Sequence, residues 1–147
     1  MSMTEPPATS SRRVGPGVVA AVDETMIQRL VHAFYAKVRQ DPMLGPIFER
    51  EVADWDEHLA KLCDFWSSVL LTSGRFKGQP MAVHNRLPDI TPAHFVAWLR
   101  LFHDTAGEVC PPEAAALFRA KADLIGESLQ LGISVSRGEL PPRRAPT

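Results

Sequence analysis

Five histidines, one tyrosine and three tryptophans are the side chains of this 147-residue sequence best suited to hold a metal or a polar ligand. Two of the histidines stand out by position. His58 shares an apolar helical face with Leu62, Phe65, Trp66 and Val69, at steps of four, three, one and three. His84 lies in a short segment, Met81 to about Leu87, that Pro88 closes. A neutral imidazole offers a nitrogen lone pair to iron or zinc. Tyr35 and Trp98 carry O–H and N–H donors on two further helices, and such donors hold a ligand that develops negative charge.

Each of these residues also has an ordinary reading. His84 alone reads as a surface histidine, His58 as a satisfied core histidine, Tyr35 as amphipathic-helix core and Trp98 as core filling. His32, His94 and His103 show no partner spacing and read as solvated helix-surface residues. Zinc held by His58 and His84 would lack an acid or cysteine partner at metal spacing. An iron porphyrin asks for something different: an apolar slot, one strong nitrogen ligand and a controlled opposite face. The chain contains all three ingredients.

The elements that must position these groups are helices. Asp23 caps a helix whose apolar residues Ile27, Leu30, Val31, Phe34, Tyr35 and Val38 recur at three- and four-residue steps, and Asp41-Pro42 stops it. A tight segment, Met43 to Phe48, follows. A second helix spans about 54–71 and carries His58, and a loop punctuated by Gly74 and Gly78 covers 72–80. Thr91-Pro92 starts a third helix, with Phe95, Trp98, Leu99 and Phe102 on one side. A fourth runs from about Glu113 to Gly132, with Leu117, Lys121, Leu124, Ile125 and Leu129 near one stripe. No segment sustains period-two alternation. The expected class is all-α, with a globular domain over 23–133 between unfolded segments 1–22 and 134–147.

Composition narrows the function classes. A hydrophobic fraction of 45% suits a globular core, and the net charge of −1 leaves no electrostatic footprint for nucleic acid. No stretch approaches the ~20 apolar residues of a membrane span, so no membrane partner is expected. Two distant cysteines without CxxC spacing read as reduced thiols of a cytoplasmic protein. Arg12-Arg13 resembles a twin-arginine signal, but Gly15-Pro16-Gly17 and a short apolar run argue against export.

Several separated motifs then occur in one order. Phe34-Tyr35-Ala36-Lys37-Val38-Arg39 is followed by Leu44-Gly45-Pro46-Ile47-Phe48, then by Trp55-Asp56-Glu57-His58 and Phe65-Trp66. Gly78-Gln79-Pro80, His84 and the run Phe95 to Phe102 complete the series. Over roughly Glu24 to Ile133 the sequence resembles the group III truncated haemoglobins. The resemblance implies a two-over-two helical sandwich around haem b, with His84 as the proximal iron ligand. It places Tyr35, His58 and Trp98 on the distal side and Phe48 flat on the haem, and continues the pocket wall through Leu62 and Phe65. Trp66 packs behind that wall. No motif assigns the haem-propionate partners; Arg86 is a candidate by its proximity to His84.

The function this implies is reversible binding of a small diatomic ligand, O2 foremost and also NO or CO. Two donors in a dry pocket, at ~1.5–3 kcal/mol each, would slow O2 release by roughly 10²–10⁴-fold if they add. His58 either bonds the ligand or swings as a gate, and the gate is favoured because Tyr35 and Trp98 already donate. An alternative is enzymatic: NO dioxygenation or peroxide chemistry. No GxGxxG-type fingerprint supplies an in-chain electron donor, so turnover would require an external reductase. A cofactor-free helical module is the third reading. A monomer is expected.

Overall fold

A computed structural model describes residues 15–87 and 89–138. The expected tails beyond these, Arg12-Arg13 and Pro88 lie outside the described residues. Among the described residues, four long helices alternate with three short ones: α1 (Pro16–Val19), α2 (Glu24–Gln40), α3 (Gly45–Glu51), α4 (Trp55–Leu71), α5 (Pro80–Asn85), α6 (Pro92–Val109) and α7 (Pro112–Ser136). No helix of the described residues is long and apolar enough to cross a membrane.

Asp23 and Thr91 cap their helices as the sequence predicts, and Asp54 proves to be a third cap. Asp23 accepts from the Met26 N–H at 2.9 Å and Asp54 from the Glu57 N–H at 3.2 Å, which satisfies otherwise orphaned amides of α2 and α4. Thr91 opens α6 in a capping box whose reciprocal partner is His94: the Thr91 backbone N–H donates to His94 Nδ1 at 3.0 Å. His94 is therefore half-buried and engaged, not simply solvated. His103 is engaged as well, its Nε2 lying 2.8 Å from Asp123 on α7.

α2 packs on α4, α6 packs on α7, and α2 lies across α6, which makes the two paired layers. The α2 stripe Ile27, Leu30, Val31, Phe34, Tyr35 and Val38 is buried as expected. On α7 the expected stripe is displaced. Its buried residues are Ala114, Ala115, Phe118, Ala122, Gly126, Leu129 and Ile133, whereas Leu124 is exposed. Small side chains win this face because α7 lies close to α6: a Cβ on Gly126 would meet Leu99 Cδ1 at 3.3 Å.

Two boundaries also move. The segment 15–22, expected to be unfolded, is packed: α1 lies on the end of α4, and Gly15, Gly17 and Val22 are buried. A Cβ on Gly15 would collide with the Leu70 carbonyl, so only glycine allows this approach. At the other end, α7 continues through Ser136.

Loop 72–79 is pinned to the elements it follows. Arg75 Nη2 donates to Glu24 at 2.8 Å and its Nε to Asp64 at 3.0 Å, while the Phe76 N–H donates to Ser68 Oγ at 3.0 Å. The buried Ser67 hydroxyl donates to Glu24 at 2.7 Å and also touches Ser73 and Arg75. The Phe76 ring meets the edge of Phe65 at 5.2 Å. α5 then follows, held by α7.

Candidate functional site

Two hydrophobic clusters set the frame. The larger contains Phe34, Tyr35, Trp66, Phe102 and Phe118, with Phe48, Leu62, Phe65 and Trp98 packed against it. The smaller contains Ile90, Phe95, Leu129 and Ile133, with Leu87 beside them, and Ile125 touches both.

Within the larger cluster the rings form a continuous lattice. Phe102 is stacked between Trp66 and Trp98, at 5.1 and 5.6 Å with interplanar angles of 13° and 11°. Phe34 stands edge-on to Trp98, Phe102 and Tyr35. Trp66 thus packs behind the wall, as expected. Tyr35 in turn meets Phe48 at 5.6 Å and His58 at 5.9 Å. Sequence distant residues are therefore brought together: Tyr35 from α2, Phe48 from α3, His58 from α4 and Trp98 from α6. Leu62 and Phe65 follow one and two turns after His58 and are half-buried.

The electrostatics of this side are those of neutral groups. Burial pushes the Tyr35 hydroxyl up to about 12, partly opposed by the nearby N–H of the Trp98 indole. A phenol with that value remains protonated at neutral pH. Burial, and next the charge of Lys61, hold the His58 imidazole below its ordinary range, so it is neutral too. Two buried nitrogens, His58 Nε2 and Trp55 Nε1, have no hydrogen-bond partner among the described residues. Buried polar atoms in folded proteins are almost always bonded, so this pair marks where something other than the chain belongs.

Trp55 is the site residue that sequence reasoning did not single out. Its ring lies 5.6 Å from His58 and 6.3 Å from Phe48, with the Arg39 guanidinium 4.4 Å above it. The signal was available: Trp55, His58 and Leu62 are spaced by three and four, hence on one face of α4.

His84 stands apart on α5, against Phe95 at 6.3 Å. Its Nδ1 lies 2.7 Å from the Pro80 carbonyl oxygen. A carbonyl only accepts, so Nδ1 carries the proton and Nε2 keeps its lone pair. This is the second contact that orients a metal-ligating imidazole. Arg86 caps the end of α5 and is exposed. Between α4, α5 and α7 an apolar cleft of about 330 Å3 is lined by Phe65, Pro80, Met81, Leu124, Ile125, Ser128 and Leu129. Among the described residues no three His, Cys, Asp or Glu converge as a metal set.

One imidazole with a free Nε2, an apolar cleft and two orphaned buried nitrogens fit a large apolar group that brings its own metal ligands. That is the description of a haem, and the residues present suit it.

No family model matches the chain. It is 34% identical over 113 residues to the group 3 truncated haemoglobin ctb of Campylobacter jejuni, which covers 74% of this chain and 89% of that protein. The fold agrees with the crystal structure of the group III truncated haemoglobin from Campylobacter jejuni at a TM-score of 0.73, over 76% of this chain and 91% of the other. The all-α, two-layer architecture and the likeness over most of both chains lead to one conclusion: the chain belongs to the group III truncated haemoglobins.

Proposed function

We propose that this chain binds haem b through His84 Nε2 and holds O2 reversibly, with NO and CO as further ligands. The observation that carries the reading is the His84 Nδ1 to Pro80 carbonyl bond, which fixes one tautomer and leaves one nitrogen for iron. When bound, the group supplies a ferrous iron with an open position for a diatomic ligand, onto which negative charge is drawn.

The remaining chemistry belongs to the chain. Tyr35 keeps its proton through neutral pH and is the principal donor. Trp98 stands on α6 edge-on to Phe34, and its indole N–H is a second donor on the same side. One buried donor of ~1.5–3 kcal/mol slows O2 release by roughly 10- to 150-fold, and two do so by roughly 10²–10⁴-fold if they add. His58, neutral and without a partner at Nε2, acts as the gate. Phe48, Leu62 and Phe65 supply apolar wall. The two free thiols, Cys63 and Cys110, fit a cytoplasmic setting.

Visible spectra of the ferric, ferrous and CO-bound forms, beside those of His84→Ala, test the haem assignment. A Soret band in the wild type, displaced or lost in the variant, is expected; its absence after haem addition overturns the reading. Stopped-flow O2 dissociation tests the donor. Tyr35→Phe should release O2 much faster, Trp98→Phe less so, and His58→Ala should alter ligand entry more than release.

A further inference from the structure

A bidentate ion pair at the surface links the neighbourhood of the larger cluster to that of the smaller one. Arg50, the penultimate residue of α3, donates from Nη1 and Nη2 to the two carboxylate oxygens of Asp89, at 2.9 and 3.0 Å. Its Nε donates to Glu51 at 2.8 Å, so the guanidinium is held in place from its own helix. Phe48, two residues earlier, touches Tyr35 and His58. Asp89 is anchored just as firmly. Before it, the Leu87 carbonyl accepts from Arg137 at 3.0 Å; after it, Ile90 is buried in the smaller cluster. The pair spans 39 residues and ties the element bearing Phe48 to the segment that follows His84.

We propose that Arg50 and Asp89 form a clasp between the two walls of the haem pocket, which must part for haem to enter or leave. The proposal rests on the haem-binding reading above. Fork-to-fork geometry makes the contact specific, and both side chains are about half exposed, so salt can screen it. A clasp of this kind controls retention of the group, without touching ligand chemistry at Tyr35 or His58.

The test is the rate of haem transfer from the loaded ferric protein to excess apomyoglobin. R50Q and D89N should each speed loss by roughly two- to fivefold at low salt, the range for an exposed pair. The double variant should be no faster than either single one, and the charge-swapped R50D/D89R should return towards wild type. High salt should bring wild type to the variants' rate. Melting of the apoproteins should be nearly unchanged, which separates clasp from fold. Faster loss in R50Q with none in D89N would overturn the proposal, because Arg50 would then be acting on the haem carboxylates. Unchanged rates in both would overturn it as well. A wild type with no Soret band would instead remove the haem reading itself, so the two failures are distinguishable.

Discussion

The α2–α4–α6 side and the α5 side of this protein are built to different standards. On the first, Phe34 and Trp66 are buried and interlock with Trp98 and Phe102 in contacts of about 5–6 Å that leave little freedom of rotation. On the second, α5 is six residues long, buries none of them and depends on α7 for support. Yet α5 carries His84. The imidazole proposed to hold the iron thus stands on the least consolidated helix, while the groups proposed to govern the ligand stand in the most rigid part. A single helix turn with one backbone bond is enough to aim a nitrogen, whereas setting a phenol proton requires a lattice that excludes water.

The comparison can be broken most sharply by truncation. Trp66→Ala should destabilise the apoprotein by about 3–5 kcal/mol in urea unfolding, since it empties a large volume beside Phe102 and Phe118. His84→Ala should cost the apoprotein no more than the ~0.5–1.5 kcal/mol of one hydrogen bond while abolishing the proposed iron ligation. Similar losses from the two variants would refute the contrast.

Next in size is the titration of Tyr35, which is clean because the chain has one tyrosine. Phenolate absorbance in the apoprotein should rise only near pH 12. Because the folded value lies above that of the unfolded chain, this contribution to stability is present below about pH 10 and is lost as pH rises through about 12. Trp98→Phe should move the titration higher still, because it removes the contact that lowers it. A phenolate signal near the ordinary value would show that the lattice does not seal the ring.

His58 shifts in the other direction. Its depressed value means that the unfolded chain binds a proton before the folded chain does, so stability falls as pH drops below the ordinary histidine range. Imidazole resonances followed by NMR should show His58 titrating below the ordinary histidine value. The smallest effect concerns the approach to α5. Arg75→Ala should speed amide exchange over 72–79 with little change in melting, because its pairs are exposed.

Much of this was legible along the chain. Asp23, Asp54, Thr91 and the prolines at 42, 92 and 112 mark helix ends through local chemistry, and the α2 stripe follows from periodicity alone. The α7 face was misread because periodicity weighs large apolar residues. There, closeness to α6 selects Ala114, Ala122 and Gly126, and Leu124 is left outside. His94 looked idle because its partner is a backbone amide three residues away, a role usually taken by Glu or Gln. Segment 15–22 looked unfolded because two glycines signal flexibility, when here they permit contact with Leu70.

By itself the sequence determined the four long helices, since spacing along one helix decides which residues share a face, and its ordered motifs carried the family resemblance that singles out His84, His58, Tyr35 and Trp98. Only the tertiary structure decided that Tyr35 meets Phe48 and His58, that His58 and Trp55 keep buried nitrogens without a partner among the described residues, and that Arg50 reaches Asp89. Those contacts lie between elements. They depend on how closely the helices approach and on what volume separates them, which no local pattern records.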